Sequence, residues 1–148
     1  MSPYLCVEHA LKFREKVCGG EEKIIKYCEN IVHDAGQRAA GMFGTEVLDN
    51  EENTLTKCAF VNVRLPLKMG MGKSEIPAED AGTLERWMIF HLAKDYDTYA
   101  PVFVHANSFF VRFCGQIYLD IDDYIRGAQA VLELCWRARV GEYMNELL

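Results

Sequence analysis

The sequence has no long apolar run and no excess of positive charge. No window of the 148 residues approaches the roughly 18 consecutive apolar residues of a membrane-spanning helix. Lys and Arg total 16 against 22 Asp and Glu, which gives a net charge of −6. Because nucleic acid is bound by basic surfaces, this balance argues against nucleic acid as the main partner. We therefore expect a small molecule or another protein as partner, and no membrane.

Paired cysteine motifs are also missing. The six cysteines are widely spaced and form no CxxC pair: Cys6, Cys18, Cys28, Cys58, Cys114 and Cys135. The first nine residues lack the basic and apolar regions of a signal peptide. Reduced cysteines in a cytoplasmic protein are therefore expected. Cys28, Cys58, Cys114 and Cys135 have apolar neighbours and are predicted to be small core residues.

Metal-ligand and nucleophile patterns are absent as well. The four histidines have no partner at metal-ligand spacing and are predicted to be structural: His9, His33, His91 and His105. No serine lies in a nucleophile-elbow motif. The string Gly70–Ser74 contains Gly-Lys-Ser, but a Walker loop needs a further glycine at position 67, which is Leu67. The sequence therefore predicts neither a metal site nor a phosphate-binding loop.

Hydrophobic periodicity predicts a mixed chain. Helices are expected over 7–17, 21–43, 78–94 and 121–140, and strands over 58–65, 101–105 and 109–113. Pro66 is expected to end the first strand, 68–79 to be a flexible connection, and 106–108 to be a three-residue hairpin loop. The order α-α-β-α-β-β-α predicts an α+β two-layer sandwich, with helices on one face of a small, mostly antiparallel sheet. Residues 1–148 are expected to form one domain.

The start of the last helix is acidic. Asp120 is placed to cap the helix, and Asp122 and Asp123 are favoured at its positive end, so a cation site is not needed to explain them. Further along, one stripe is predicted to face the core: Tyr124, Ala128, Val131, Leu132, Cys135 and Trp136.

Arg112 is the one candidate for binding a ligand. Side chains alternate along a strand, so Arg112 shares a face with Phe110 and Cys114. An arginine among aromatic side chains at the end of a strand is partly desolvated, and its fork matches a carboxylate. The alternative is an arginine on a solvated sheet face, paired with a surface acid.

The residues around Arg112 resemble a known family. Val111–Tyr118, followed by Leu119–Tyr124, is similar to the closing motif of class-V aminotransferase-fold enzymes, which use pyridoxal phosphate. In that motif an arginine on a late strand precedes a small residue and an acidic turn into the last helix. The chain is most like the fungal isopenicillin-N-epimerase-like branch, which includes hercynylcysteine sulfoxide lyase-like proteins. Further similar segments are Ser2–Leu5, Ala10–Arg14, Gly44–Val47, Val61–Pro66 and Tyr96–Thr98.

This resemblance implies that Arg112 binds the α-carboxylate of an amino acid or a sulfur derivative of one. It also implies that the chain matches only the C-terminal small domain of such a lyase, epimerase or transferase. The pyridoxal phosphate and its lysine belong to a large domain, so no cofactor is expected to bind this chain alone. Cysteine desulfurases of the fold carry a nucleophilic cysteine shortly before this arginine. Because 95–111 contains no cysteine, a persulfide mechanism is disfavoured.

Three interpretations therefore stay open. The chain is part of a pyridoxal-phosphate enzyme, either a truncated gene product or half of a divided enzyme, whose partner is a separate large domain or a second copy in a homodimer. It is instead a non-catalytic binding or assembly module, or an unrelated small α+β domain of the ferredoxin-like kind. The first interpretation predicts an apolar surface patch on the face that packs against a large domain.

Overall fold

The structure is a computed structural model that describes residues 3–145. Within this range lie four α-helices and three β-strands. The helices are α1 (Val7–Lys16), α2 (Glu21–Phe43), α3 (Ala81–Tyr96) and α4 (Ile121–Arg139). The strands are β1 (Phe60–Lys68), β2 (Val102–His105) and β3 (Ser108–Cys114). Short 3-10 turns cover Pro3–Cys6, Ala78–Asp80 and Glu142–Met144. The predicted order of elements is confirmed.

The three strands form an open antiparallel sheet in the order β1-β3-β2. On β1, Val61, Val63, Leu65 and Leu67 are buried and alternate with less buried residues. They join Phe109, Val111 and Phe113 of β3 in one core cluster with apolar residues of α2, α3 and α4. The α+β architecture, with a small antiparallel sheet and helices against its core face, is thus confirmed.

The prediction that β1 ends at Pro66 is wrong. The strand continues to Lys68, and its register with β3 shifts between Arg64 and Lys68. A proline is tolerated at such an irregularity on an edge strand because no ladder hydrogen bond requires its missing N–H. The outer edge of β1 is covered by a short segment, in which Arg64 N donates to Glu46 O and Leu48 N donates to Asn62 O.

The hairpin between β2 and β3 is confirmed, but its loop is shorter than predicted. Ser108 pairs with His105, which leaves only Ala106 and Asn107 in the turn. Both turn residues have positive φ, of 46° and 57°, the conformation that suits the twist of a two-residue hairpin.

The segment predicted as a flexible connection is anchored to the core at one point. Ile76 is 1% exposed and forms a parallel bridge with Met69, so only 70–75 lies as a surface loop between them. Burial of this isoleucine could not be predicted from the sequence, because the two glycines and the proline nearby are typical of a surface loop.

The ends and faces of the helices follow the sequence closely, with one exception on α4. The predicted cap of α4 is confirmed, since Asp120 and Asp123 form a reciprocal capping box. Trp136, however, is 63% exposed, and its prediction as a core residue is wrong; Cys135 beside it is buried and occupies the core position. α1 has no buried residue, and its apolar side chains face outward. No helix in the described part is long and apolar enough to cross a membrane.

Candidate functional site

Arg112 lies near the end of β3 on the sheet face opposite the core. Its neighbours in the chain, Val111 and Phe113, are buried in the core, while Arg112 itself is half-buried. Asn62 is its register partner on β1, and the Asn62 Oδ1 atom accepts a hydrogen bond from Arg112 Nε at 2.9 Å. The backbone N–H of Arg112 donates to Pro101 O at 2.9 Å. Both neighbouring segments therefore fix the position of this arginine.

Two aromatic rings pack beside the guanidinium group. Arg112 Cζ lies 4.7 Å from the ring centroid of Phe60 on β1 and 5.4 Å from that of Phe103 on β2. Phe103 in turn stacks on Phe110, with 5.9 Å between their centroids. Cation–π contact of this kind attracts the cation and removes water from its faces. The guanidinium group is thus held beside one ring from each neighbouring strand.

Arg112 has no acidic partner in the described part of the chain. Among residues 3–145, no carboxylate forms an ion pair with Arg112, and its two Nη groups make no hydrogen bond. The alternative of an arginine paired with a surface acid is therefore not what the described residues show. The free Nη donors are the part of the fork that binds a carboxylate with two parallel hydrogen bonds.

A cleft of about 370 Å³ opens beside Arg112. Its polar lining includes Thr98 before β2, Cys114 at the end of β3, and Gln116 and Tyr118 in the turn that follows. A volume of this size is within the range of small-molecule sites, roughly 300–1,000 Å³. The cleft is large enough for an amino acid or a modest derivative of one.

The turn 115–120 that forms one wall of the cleft is fixed by several contacts. A side chain at Gly115 would lie 2.3 Å from the carbonyl oxygen of Cys28, so only glycine allows β3 to leave the sheet this close to α2. The Tyr124 hydroxyl donates to Cys114 O at 2.7 Å, and burial raises the pKa of Tyr124 to about 12. The tyrosine therefore stays protonated and remains a donor at neutral pH. The Asp120 backbone N–H donates to Asp123, which is the largest cause of the lowered pKa of Asp123.

The cysteines divide between core and surface. Cys28 and Cys135 are buried as predicted, and burial raises the pKa of both, that of Cys135 to about 12. The core prediction is wrong for Cys114, which is exposed, and Cys58 is only partly buried. Of the two cysteines that were not predicted to lie in the core, Cys18 is partly buried and Cys6 is exposed. All six are free thiols. Cys114 follows the last core residue of β3, where the strand leaves the sheet.

The histidines do not gather at the cleft. His91 is 2% exposed, and its Nδ1 lies 2.6 Å from Asp95 Oδ2, in accordance with a structural role. His33 Nε2 bonds to the backbone oxygen of Thr56. No group of three or more potential metal ligands occurs in the described part of the chain.

An ionic cluster that was not predicted from the sequence lies between α3 and α4. Arg137 Nη1 donates to Asp95 at 2.9 Å, and Arg137 also pairs with Glu142 in the last 3-10 turn. The pKa of Asp95 is lowered, first by His91 and then by Arg137, and that of Glu142 is lowered by Arg137. The spacing of His91 and Asp95, one helical turn apart, was a signal available in the sequence. The contribution of Arg137 from another helix was not.

The described residues do not fit covalent attachment of pyridoxal phosphate. All eight lysines of the chain lie within 3–145, and every one of them is exposed at the surface. A lysine that forms a Schiff base is normally desolvated in an enclosed site, which lowers its pKa and frees its amine. The described residues therefore provide no lysine suited to hold this cofactor.

The structure is thus a small α+β fold in which a half-buried cationic group, Arg112, lies beside a cleft. Among proteins of known name, the chain is 30% identical to the L-cysteine desulfhydrase-like protein lolT1 of Epichloe uncinata over 90% of its length. It is 31% identical to lolT2 of the same organism over 90%, and 26% identical to the hercynylcysteine sulfoxide lyase of Schizosaccharomyces pombe over 89%. These alignments cover 33%, 32% and 29% of the relatives, so the chain spans about a third of their length. No protein-family model matches the chain.

Proposed function

We propose that this chain is the substrate-carboxylate-binding part of a pyridoxal-phosphate-dependent lyase that acts on the carbon–sulfur bond of a cysteine derivative. The observation that carries the proposal is that Arg112 is half-buried and lines a cleft, while its two Nη groups make no hydrogen bond within residues 3–145. The names of the relatives support the carbon–sulfur chemistry, since they are desulfhydrase-like proteins and a sulfoxide lyase. Epimerase and transferase chemistry, which the class-V resemblance also covers, has no such support.

In this proposal Arg112 binds and orients the substrate and does not activate it. The carboxylate accepts two hydrogen bonds from the Nη groups, while Asn62 and the flanking rings keep the fork from rotating. Thr98 and Gln116 provide polar groups for the rest of the substrate. Because the relatives are about three times as long, the cofactor and its lysine would come from sequence outside the aligned part.

A binding experiment tests the role of Arg112. The chain is titrated with S-methyl-L-cysteine, and with 2-(methylthio)ethylamine as a matched ligand that lacks the carboxylate. We expect the chain to bind the amino acid with millimolar affinity and not to bind the amine. NMR signals of the Arg112 side chain measure this binding. Arg112→Gln should weaken it at least about tenfold, since a charge-assisted fork is worth more than 1.4 kcal/mol. Arg38→Gln, an exposed arginine of α2, is the control. Equal binding of both ligands, or no effect of Arg112→Gln, contradicts the proposal.

A second experiment tests the cofactor. Because no lysine is enclosed, pyridoxal phosphate added to the chain should give no visible absorption band that survives dialysis. A stable band that one lysine substitution abolishes would show that this chain does hold the cofactor. If the chain is half of a divided enzyme, mixing it with a separately expressed cofactor-bearing portion of a relative should restore desulfhydrase activity.

A non-catalytic assembly module remains the second candidate, and one observation favours it. α1 buries none of its residues, and its apolar side chains Val7, Leu11 and Phe13 are all more than half exposed. Such side chains on one short helix are suited to contact with another protein surface. In either case this helix is the surface that a large domain or a second copy would cover. Sedimentation of the unchanged chain and of the Leu11→Glu variant tests this. Self-association through α1 should be present in the unchanged chain and weaker in the variant, whereas a monomer would sediment alike in both.

A further inference from the structure

A second cleft, of about 810 Å³, lies at the other end of the sheet and shares no lining residue with the Arg112 cleft. It is formed by the end of β1, the loop 69–75, the β2–β3 turn and the end of α4. Four basic side chains line it: Arg64, Lys68, Lys73 and Arg139. The one carboxylate in the lining is that of Glu75. The whole chain carries a net charge of −6, so this concentration of positive charge runs against its composition.

Three of these cations lack an acidic partner. Within residues 3–145, Lys68 and Lys73 make no ion pair, and Arg139 donates only to the backbone oxygen of Pro66. Arg64 pairs with Glu46 at 2.9 Å, at the rim of the cleft. Like charges gathered without counter-charges repel one another, and an anion between them would relieve that repulsion.

The loop beside them already holds a carboxylate. Glu75 Oε2 accepts a hydrogen bond from the Gly72 backbone N–H at 2.9 Å. A side chain at Gly70 would lie 2.2 Å from the same oxygen, so the glycines let the loop close around the acid. Glu75 thus shows that an anionic oxygen fits here. The hydroxyl groups of Ser74 and Ser108 add further donors to the lining.

We propose that this cleft binds a small, multiply charged anion, either a phosphorylated or a polycarboxylate metabolite. Its volume is that of a small-molecule site, and lysine and arginine donors facing a cleft suit phosphate and carboxylate oxygens alike. The site is not a Walker loop, since Leu67 stands where that motif needs glycine. It is independent of the function proposed for Arg112.

The test uses pyrophosphate and citrate as separate probes, titrated into the whole chain at low ionic strength by calorimetry and backbone NMR. Amide shifts should concentrate in 68–76 and 106–108. K68Q/K73Q should weaken binding about tenfold or more. The matched control K12Q/K26Q removes the same charge from exposed lysines of α1 and α2 and should change the affinity less than about twofold. Glu75→Gln should strengthen binding, because it removes the competing carboxylate.

Each outcome decides the proposal. Binding of both probes supports a general polyanion site, and binding of pyrophosphate alone supports a phosphorylated ligand. The proposal is overturned if neither probe binds. It is also overturned if K68Q/K73Q and K12Q/K26Q lose the same amount of affinity, because the binding would then depend only on the overall charge of the protein. Arg112→Gln should leave pyrophosphate binding unchanged, so failure here and failure of the carboxylate site are distinguishable.

Discussion

Asn62 and Arg112 face each other across β1 and β3, and the Asn62 Oδ1 atom accepts a 2.9 Å hydrogen bond from Arg112 Nε. This bond uses the Nε–H donor, so that both Nη groups stay available for a bidentate carboxylate. An uncharged acceptor at this place fixes the fork without neutralising it. The choice of an amide over an acid at position 62 therefore suits a cation that is kept for a ligand.

Substitution of Asn62 should separate stability from ligand binding. Asn62→Ala removes the acceptor and should lower the free energy of unfolding by about 1 kcal/mol, since Arg112 is half-buried and water replaces the bond in part. Asn62→Asp keeps an acceptor and adds a charge that pairs with Arg112. It should retain stability and yet weaken S-methyl-L-cysteine binding. Urea denaturation and ligand titration of the two variants check this; equal binding by Asn62→Asp and the unchanged protein would contradict it.

The two α2 glycines Gly36 and Gly41 should respond in opposite directions to alanine. A side chain at Gly36 would lie 2.6 Å from Val61 Cγ2 in the core, whereas at Gly41 nothing lies within 4 Å. Gly41→Ala should stabilise the protein by about 0.5–1 kcal/mol through helix propensity alone. Gly36→Ala has the same propensity gain but should destabilise by about 1–3 kcal/mol through overpacking. Urea midpoints measure both, and stabilisation by both variants would show that β1 and α2 can move apart.

Much of this fold could be predicted from the sequence, because its helices and strands carry clear periodicity. The full extent of α2, the hairpin and the Asp120 cap follow from local patterns of apolar, glycine and acidic residues. The errors lie where tertiary contacts decide. Pro66 stays in β1 because the register shifts there, and Ile76 is buried by pairing across a loop.

The candidate site divides in the same way. Arg112 and its strand partner Phe110 could be placed on one face from alternation alone. Asn62 and Phe60 could not be connected with it, since they lie about 50 residues away and meet it only through the pairing of β1 with β3. The ionic cluster of Arg137 could not be predicted for the same reason, because the partners of Arg137 come from α3 and from the turn after α4.

Acid should destabilise the protein through the Arg137 cluster. The pKa values of Asp95 and Glu142 are lowered in the folded state, so their contribution is fully present above the ordinary carboxyl pKa values. It is lost as the pH falls below about 4.5 and both groups take up protons. Arg137→Met should be less stable at pH 7 and should lose less stability from pH 5 to pH 3. Urea midpoints across this range measure the effect.

The control for the acid experiment is Arg38→Met. Arg38 pairs with Asp34 one turn away on α2, and both side chains are more than half exposed. Exposed pairs of this kind contribute about 0–1 kcal/mol and are screened by salt. The stability of Arg38→Met should therefore follow the unchanged protein at every pH. If the two arginine variants behave alike, the acid sensitivity arises from overall charge and not from the cluster between α3 and α4.

The thiols should report both the core and the Arg112 cleft when the native protein is alkylated. Cys6 and Cys114 are exposed and should react first with iodoacetamide, while Cys135, whose pKa burial raises to about 12, should react at least about a hundredfold more slowly. Cys114 lines the cleft beside Arg112, whereas Cys6 lies before α1. Saturating S-methyl-L-cysteine should therefore slow the modification of Cys114 and leave that of Cys6 unchanged, as measured by mass spectrometry of the labelled peptides. If titration shows that the amino acid binds and yet neither thiol is protected, the amino acid lies outside this cleft. The structural basis for assigning its carboxylate to Arg112 would then be lost.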